Sequence, residues 1–203
     1  MKKLIVVSLS LIVFVSCSSS SSNNETGGDF SLLKSTLARD TSPDAAEAEI
    51  TELVTGNTNF AIDLYKKIKT GENIFFSPYS VSLALAMTYA GADGNTKTEM
   101  ADTLHFTLDD ARLHNAFNYL DLAIMNRDSD DEDDNAFTLR IANSIWGEKT
   151  YSFLSTFLDV LAENYGAGLR AVDFANDPNI SRNTINDLVS DETEGKIEDL
   201  LPE

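Results

Sequence analysis

The stretch NIFFSPYSVSLALAMTYAGA, residues 73–92, decides how the rest of the chain is interpreted. Ser77 followed by Pro78 predicts a helix start, because a serine side chain caps the first turn and proline has no N–H to lose there. Gly91 is the candidate for the C-terminal cap. A helix from Pro78 to Ala90 is shorter than the ~20 residues that span a bilayer, and its apolar residues point in every direction. Because such a helix must be covered on all sides by protein, we predict that it forms the centre of a globular domain.

Helices and strands are predicted to alternate around this central helix. Apolar residues at helical spacing predict helices over 45–54, 59–69 and 154–165. The capping boxes Thr96–Glu99 and Thr107–Asp110 predict the starts of two more helices. Asp177-Pro178 predicts the start of a last helix, with Ile185, Leu188 and Val189 on its inner side. Short or alternating apolar runs predict strands over 74–76, 137–146 and 169–174. Helices separated by strands in this way indicate an α+β fold.

The charge of the chain restricts its partners. Its 203 residues include 33 acidic and 15 basic side chains, which gives a net charge of −18. Because nucleic acid and anionic membrane surfaces repel a polyanion, we expect neither as a partner. The hydrophobic content of 42% is sufficient for a packed core and argues against a disordered chain.

The first residues have the pattern of a bacterial export signal. Lys2 and Lys3 precede an apolar run from Leu4 to Val15, which is too short to remain as a spanning helix. The segment FVSC, residues 14–17, resembles a lipoprotein cleavage box in which Cys17 becomes the lipidated N-terminus. The alternative is ordinary secretion with cleavage nearby. Both place the protein outside the cytoplasm, either lipid-anchored in the cell envelope or extracellular.

The chain is predicted to divide into three parts. Residues 1–16 are the signal peptide, residues 17–44 are a flexible tether that begins with a serine-rich run, and residues 45–203 are the folded domain. Since Cys17 is the only cysteine, no disulfide can form within one chain.

No group of residues indicates catalysis, a cofactor or a metal site. His105 and His114 have no partner at zinc-ligand spacing, so we interpret them as helix-end or surface histidines. The acidic run DSDDEDD, residues 128–134, lacks the glycine and the spaced ligands of a calcium loop and is interpreted as a solvated loop. We therefore expect a protein that is not an enzyme.

Four segments together resemble the serpin family: residues 73–106, LRIANSIW at 139–146, AVDF at 171–174, and INDLVSDETEGKIEDLLP at 185–202. The positions that match the family pattern are Asn73, Ser77, Pro78, Ser80, Gly91, Ala92, Gly94, Thr96, Glu99, Met100, Asn143, Ile185, Asn186, Val189, Thr193, Gly195, Lys196 and Ile197. Leu188 departs from the pattern, because the family usually has tryptophan there. The resemblance implies that residues 73–92 contain the buried central helix of a serpin and that 139–146 belong to its large sheet.

The resemblance also implies a function. Serpins trap serine or cysteine proteases when a cleaved reactive loop inserts as a new strand into the large sheet. Asn73, Ser77 and Ser80 resemble the region where strands part over the central helix, and small hydroxyl residues there could exchange hydrogen-bond partners. Capping by Ser77 and tight packing by Ser80 remain the simpler alternatives.

The resemblance covers only the N-terminal half of the family's length. On this interpretation the reactive loop is absent from the 203 residues, and we expect the chain to be inactive alone. The alternative function is that of a non-inhibitory surface lipoprotein, as a binding module or a degenerate remnant. The implied partners are a protease for a full-length form and the membrane through Cys17, with no cofactor.

Overall fold

A computed structural model describes residues 30–126 and 143–203 and confirms the α+β class. The elements are β1 (Ser31–Leu33), α1 (Glu47–Ile68), α2 (Pro78–Tyr89), α3 (Gly94–Leu104), α4 (Asp110–Met125), β2 (Ile145–Glu148), α5 (Ser155–Tyr165), β3 (Leu169–Val172) and α6 (Pro178–Glu192). The predicted signal peptide, Cys17 and the acidic run 128–134 lie outside the described residues. Within the described ranges, no helix combines the length and the apolar character needed to cross a membrane.

The three strands form one mixed sheet in the order β1-β3-β2. β2 and β3 are parallel, with Ile145 opposite Leu169, and α5 makes the crossover that parallel neighbours require. β1 is antiparallel to β3, with Ser31 opposite Ala171. The predictions of a strand near 169–174 and of helices over 154–165 and after Asp177 are confirmed. Of the predicted strand 137–146, residues 137–142 lie outside the described part, and β2 overlaps its last two residues.

β1 corrects the prediction that the tether extends to residue 44. Residues 31–33 pair with the outer edge of β3, and the residues that follow contact α4 and α5. A three-residue strand is too short to show a periodic pattern in the sequence. Its hydrogen-bond partners also lie far away in the chain, so no local signal predicts it. Residues 17–29 of the predicted tether lie outside the described part.

The central helix α2 is covered on every side, as predicted. One side packs with α1, α3 and α4, in a cluster that includes Leu83, Ala86 and Tyr89. Ala84 and Met87, on the other side, pack against α5 and one face of the sheet. The opposite face of the sheet carries Trp146, which α6 covers. Helices therefore lie on both faces of the sheet, and α2 lies between the sheet and the helices α1, α3 and α4.

Two element predictions near α2 are wrong. Residues 74–76 are irregular, and the Phe75 side chain is 84% exposed, since none of the described strands lies beside this segment. The two predicted helices over 45–54 and 59–69 are a single helix, α1. The helix continues through Gly56, and this glycine lets α1 approach the backbone of His105, because a Cβ there would overlap the His105 carbonyl oxygen.

The predicted capping box of Thr96 and Glu99 is wrong. α3 begins earlier, at Gly94, so Thr96 lies inside the helix. The Glu99 carboxylate accepts a hydrogen bond from the Asn95 side chain at 2.8 Å rather than from a backbone N–H.

The second predicted capping box, Thr107 with Asp110, is also wrong. Asp109 caps α4 instead, with its carboxylate accepting from the Arg112 backbone N–H at 3.1 Å. The Thr107 hydroxyl donates to the Glu52 carboxylate of α1 at 2.6 Å. The cap of α4 is therefore Asp109, two residues after the predicted Thr107, and Thr107 contacts α1 instead.

Candidate functional site

The first turn of α2 carries a pair of serine hydroxyls. The Ser77 hydroxyl oxygen accepts from the Ser80 backbone N–H at 3.3 Å, so the predicted N-cap is present. The hydroxyl oxygens of Ser77 and Ser80 are 3.0 Å apart and share a hydrogen bond in which either one can donate. Ser80 is only 2% exposed. Ser77 therefore does more than cap the helix: it also satisfies a buried hydroxyl.

Asn143 connects this turn to the segment that leads into β2. Its side-chain amide donates to the Ser80 carbonyl oxygen at 3.4 Å. Its amide oxygen is buried and has no hydrogen-bond partner within the residues that the structure describes. Ser144, next in the chain, accepts from the Trp146 indole N–H at 2.9 Å. The start of α2 and the entry to β2 are thus joined by a polar network around Ser80.

The polar groups around the start of α2, here called the α2 network, are Ser77, Ser80 and Asn143 together with Tyr79 and the pair Ser82 and Asn57. Tyr79 and Asn57 have buried polar atoms without partners among the described residues. The Ser82 hydroxyl donates to the Asn57 amide oxygen at 2.5 Å, but the Asn57 amide nitrogen has no partner in the described ranges. The Tyr79 hydroxyl is also buried and unpaired there, and burial raises the pKa of Tyr79 far above its usual value. A buried polar atom left unpaired costs about 1–3 kcal/mol. Among the residues that the structure describes, hydrogen bonding around the first half of α2 is therefore incomplete.

Asn73 is not part of this network. It lies exposed in the irregular segment before α2, four residues ahead of Ser77. The family resemblance groups it with Ser77 and Ser80, and the residues between Asn73 and Ser77 are irregular rather than a strand.

A second group of the predicted residues fixes the chain after α6. The Asn186 amide donates to the Leu201 carbonyl oxygen at 3.0 Å, and its oxygen accepts from the Leu201 N–H at 2.9 Å. The buried Thr193 hydroxyl oxygen accepts from the Ile197 N–H at 3.0 Å. Gly195 has a φ of 72°, a left-handed conformation that glycine adopts without strain. Together these residues fold the segment 193–201 back onto α6.

Lys196 lies exposed on this returning segment, and its backbone N–H donates to the Thr193 carbonyl oxygen at 3.0 Å. Leu188, which stands where the family usually has tryptophan, is partly buried and packs against the cluster of Trp146, Ile185 and Val189. Leucine therefore fills the same side of α6 with a smaller side chain.

The sequence of the folded part matches a known family. The family model described as serpin, serine protease inhibitor, matches residues 55–203. The chain belongs to the serpin family. The resemblance inferred from the sequence is thereby confirmed, and a family of protease inhibitors agrees with the prediction that the protein is not an enzyme.

Individual serpins are similar to this one over most of its length. Human leukocyte elastase inhibitor is 39% identical over 153 residues, which cover 74% of this chain and 38% of the relative. Leukocyte elastase inhibitor of Xenopus laevis is 41% identical over 149 residues, which cover 71% and 37%. Serpin B6 of Bos taurus is 41% identical over 151 residues, which cover 72% and 38%. The chain thus spans well under half the length of these relatives.

Three further serpin positions lie away from the α2 network. Gly91 is not a left-handed cap, since Ala90 ends α2 in a right-handed conformation and Gly91 has no positive φ. A Cβ at Gly91 would lie 3.2 Å from two ring carbons of Phe157 in α5. Gly91 therefore allows α2 and α5 to approach closely. Thr96 and Glu99 occupy α3 and make no contact with the serine pair.

The two histidines of this serpin differ from each other. His105 ends α3 in a left-handed conformation, and its ring pairs with Asp63 at 3.1 Å, as expected for a helix-end histidine. His114 is 3% exposed, so its interpretation as a helix-end or surface residue is wrong. Its Nδ1 lies 2.6 Å from the Tyr165 hydroxyl oxygen, and burial lowers the pKa of His114 to about 4.

His114 could have been found from the sequence. It is one position after Leu113 and three before Phe117, within the apolar stripe of α4, and a helical projection places it beside the buried face. Among residues 30–126 and 143–203, no three histidine, cysteine, aspartate or glutamate side chains come close enough together to hold a metal ion.

Proposed function

We propose that a serpin containing this chain inhibits serine or cysteine endopeptidases, and that the 203 residues alone do not. Family membership supports the first half of the proposal, as do relatives whose names describe them as inhibitors of leukocyte elastase. The second half rests on the resemblance, in which the reactive loop belongs to a part of the family that these residues do not match. The matched length is 38% of the human relative.

The α2 network is the observation that carries this proposal. Asn143 donates to the backbone of Ser80 while its own amide oxygen is buried without a described partner. The Ser80 hydroxyl already shares its hydrogen bond with Ser77. Hydroxyls and amides that can exchange partners suit a place where the sheet changes its strands over a buried helix. Inhibition by strand insertion requires such a place.

A chimera tests the proposal directly. Residues 55–203 would replace the matching part of human leukocyte elastase inhibitor, and the product would be mixed with leukocyte elastase. We expect an SDS-stable complex from the chimera and none from the 203-residue chain. A folded chimera, shown by a cooperative melting transition, that forms no complex would contradict the proposal, as would a complex formed by the 203 residues alone.

Variants of the chimera connect inhibition to the α2 network. Asn143→Ala removes the hydrogen bond to Ser80 and should lower the fraction of elastase trapped as complex. Asn95→Ala changes an exposed asparagine of α3 and is the matched control, with trapping unchanged. Equal trapping by both variants would show that the network has no part in inhibition.

We further propose that Cys17 is lipidated and that the protein is held in the bacterial cell envelope. The supporting observation is the export-type sequence that ends in FVSC at residues 14–17. Expressed in a bacterium, the chain should partition into the detergent phase and carry a diacylglycerol mass on the peptide that begins at Cys17. Cys17→Ser should move it to the aqueous phase. Aqueous partition of the unchanged chain would favour ordinary secretion.

A further inference from the structure

Residues 30–40, here called the strap, follow the outer edge of the sheet and then cross the helices. β1 occupies its first part, and Leu33 lies opposite Leu169 in the antiparallel pair. The strap therefore covers the edge of β3 that faces away from β2. An uncovered strand edge offers unpaired N–H and C=O groups to any other chain, so this coverage has a clear physical use.

The second part of the strap is tied to α5 by hydrogen bonds. The Ser35 hydroxyl donates to the Asp159 carboxylate at 2.5 Å. One turn further along α5, the Glu163 carbonyl oxygen accepts from the Asp40 backbone N–H at 2.9 Å. The strap thus changes from pairing with a strand to lying along a helix within a few residues.

Arg39 anchors the strap in α4. Its Nε donates to the Asn118 amide oxygen at 2.8 Å, and its Nη2 donates to the Asp121 carboxylate at 2.6 Å. Asn118 is fully buried and also donates to the Asp40 carbonyl oxygen at 2.7 Å. The side chains of the Arg39–Asp121 ion pair are 18% and 11% exposed. Charge-assisted bonds at such low exposure are stronger than surface ion pairs.

Two glycines shape the groove in which the strap lies. A Cβ at Gly168 would lie 2.9 Å from the Leu33 carbonyl oxygen. A Cβ at Gly166 would lie 3.0 Å from the Cδ of Arg39, and Gly166 has a φ of 60° at the end of α5. Any larger residue at Gly168 would push the strap away from β3. The loop between α5 and β3 is therefore shaped to receive a peptide backbone.

The start of the strap closes over the single tryptophan. The rings of Phe30 and Trp146 meet edge to face, with centroids 5.6 Å apart. The Arg170 guanidinium lies 5.8 Å from the Phe30 ring centroid and 5.7 Å from that of Trp146. Trp146 is fully buried, so its fluorescence reports whether the strap is in place.

We propose that the strap is the ligand of a peptide-binding groove formed by the outer edge of β3, α5 and α4, with Arg39 as the anchoring residue, and that it opens without unfolding the rest of the domain. The strap attaches mainly through polar groups, with Phe30 and Leu33 as its apolar contacts. Segments with few buried apolar contacts open at lower free energy than a packed core. While it is bound, the strap keeps another strand from pairing with β3.

The test uses hydrogen exchange and tryptophan fluorescence on the full chain. Arg39→Ala should raise exchange of residues 30–40 and 169–172 at least tenfold and make Trp146 more accessible to acrylamide, with α2 and α6 unchanged. Arg112→Ala is the matched control. Like Arg39, Arg112 forms an ion pair with a carboxylate, but its partner is Glu49 of α1 and the pair lies outside the groove. It should change neither reporter.

A free peptide distinguishes a groove from an ordinary part of the core. When added to the Arg39→Ala chain, the peptide FSLLKSTLARDTSPD, residues 30–44, should restore protection of residues 169–172 from hydrogen exchange. It should also restore the protection of Trp146 from acrylamide quenching. The same peptide with Arg39→Ala should need at least ten times the concentration. If the Arg39→Ala chain does not fold, the Arg39→Lys chain serves instead, because lysine keeps the charge and loses the two-pronged geometry.

Four results would overturn the proposal. They are unchanged exchange in the strap, exchange that rises equally in all elements, equal rescue by the two peptides, and a dimer whose fraction grows with concentration in light scattering. The last would mean that straps exchange between copies.

Discussion

Replacing Asn186 with alanine tests how the segment after α6 is held. The Asn186 side chain pairs with both backbone groups of Leu201, at 3.0 and 2.9 Å, and is 5% exposed. Two hydrogen bonds at about 1 kcal/mol each are lost, and the Leu201 groups are only half-buried, so water can replace part of what is removed. The higher helix propensity of alanine returns about 0.5 kcal/mol. We expect the free energy of unfolding to fall by about 1.5 kcal/mol or slightly less.

Asn183 provides a matched control on the same helix. It lies one turn before Asn186 and is exposed, so Asn183→Ala makes the same chemical change without breaking the Leu201 pair. We expect this variant to be unchanged or slightly more stable. Urea unfolding followed by Trp146 fluorescence measures both, since Trp146 packs in the same cluster as Ile185 of α6. In a domain of this size the melting temperature of the Asn186 variant should fall by roughly 3–6 °C.

The reasoning is refuted if the two variants differ by less than about 0.5 kcal/mol. Asn186→Asp gives a further check. The carboxylate keeps an acceptor for the Leu201 N–H but places a negative charge against the Leu201 carbonyl oxygen. We expect it to be less stable than the wild type at pH 7 and to recover part of the loss when the carboxylate is protonated.

Three further changes have expected outcomes. Ser77→Ala should lower the free energy of unfolding by about 1 kcal/mol through loss of the α2 cap, while Ser77→Thr should keep most of it; equal losses in urea unfolding would contradict the cap. Gly91→Ala should cost about 1–3 kcal/mol through overlap with the Phe157 ring, and Phe157→Leu should relieve it in a double-mutant cycle. The pKa of His114 is lowered from 6.5 to about 4, so the unfolded chain binds more protons and stability is lost as pH falls through that window, by up to about 3 kcal/mol. His114→Asn should flatten this part of the stability profile, and an unchanged slope would show that another group is responsible.

Local patterns predicted the main helices correctly, although the capping boxes at Thr96 and Thr107 and the cap at Gly91 were wrong. Ser77, Pro78 and an apolar surface on every side predicted both the start of α2 and its burial, because capping and periodicity depend on neighbours within one or two turns. The helices α5 and α6 follow for the same reason. Ser77 and Ser80 share a hydrogen bond, since residues three positions apart on a helix are neighbours.

Features that depend on a distant partner were missed. Residues 74–76 have strand composition, but none of the described strands lies beside them to accept their hydrogen bonds. Asp109 rather than Thr107 caps α4, and the Thr107 hydroxyl instead donates to Glu52 of α1, 55 residues away in the chain. His114 was assigned to the surface although its place in the apolar stripe of α4 indicated burial; only its partner Tyr165, 51 residues away, could not be predicted.

By itself the sequence determined the α+β class and the buried central helix, because both depend on spacing within a few turns, and the resemblance of its motifs along the chain indicated the family. Only the tertiary structure showed that residues 30–40 belong to the domain and that Asn143 reaches Ser80. A short polar segment becomes a strand or an anchor when a particular edge, groove or buried carboxylate is brought to it. Such contacts depend on the packing of the whole chain, so no local sequence pattern predicts them.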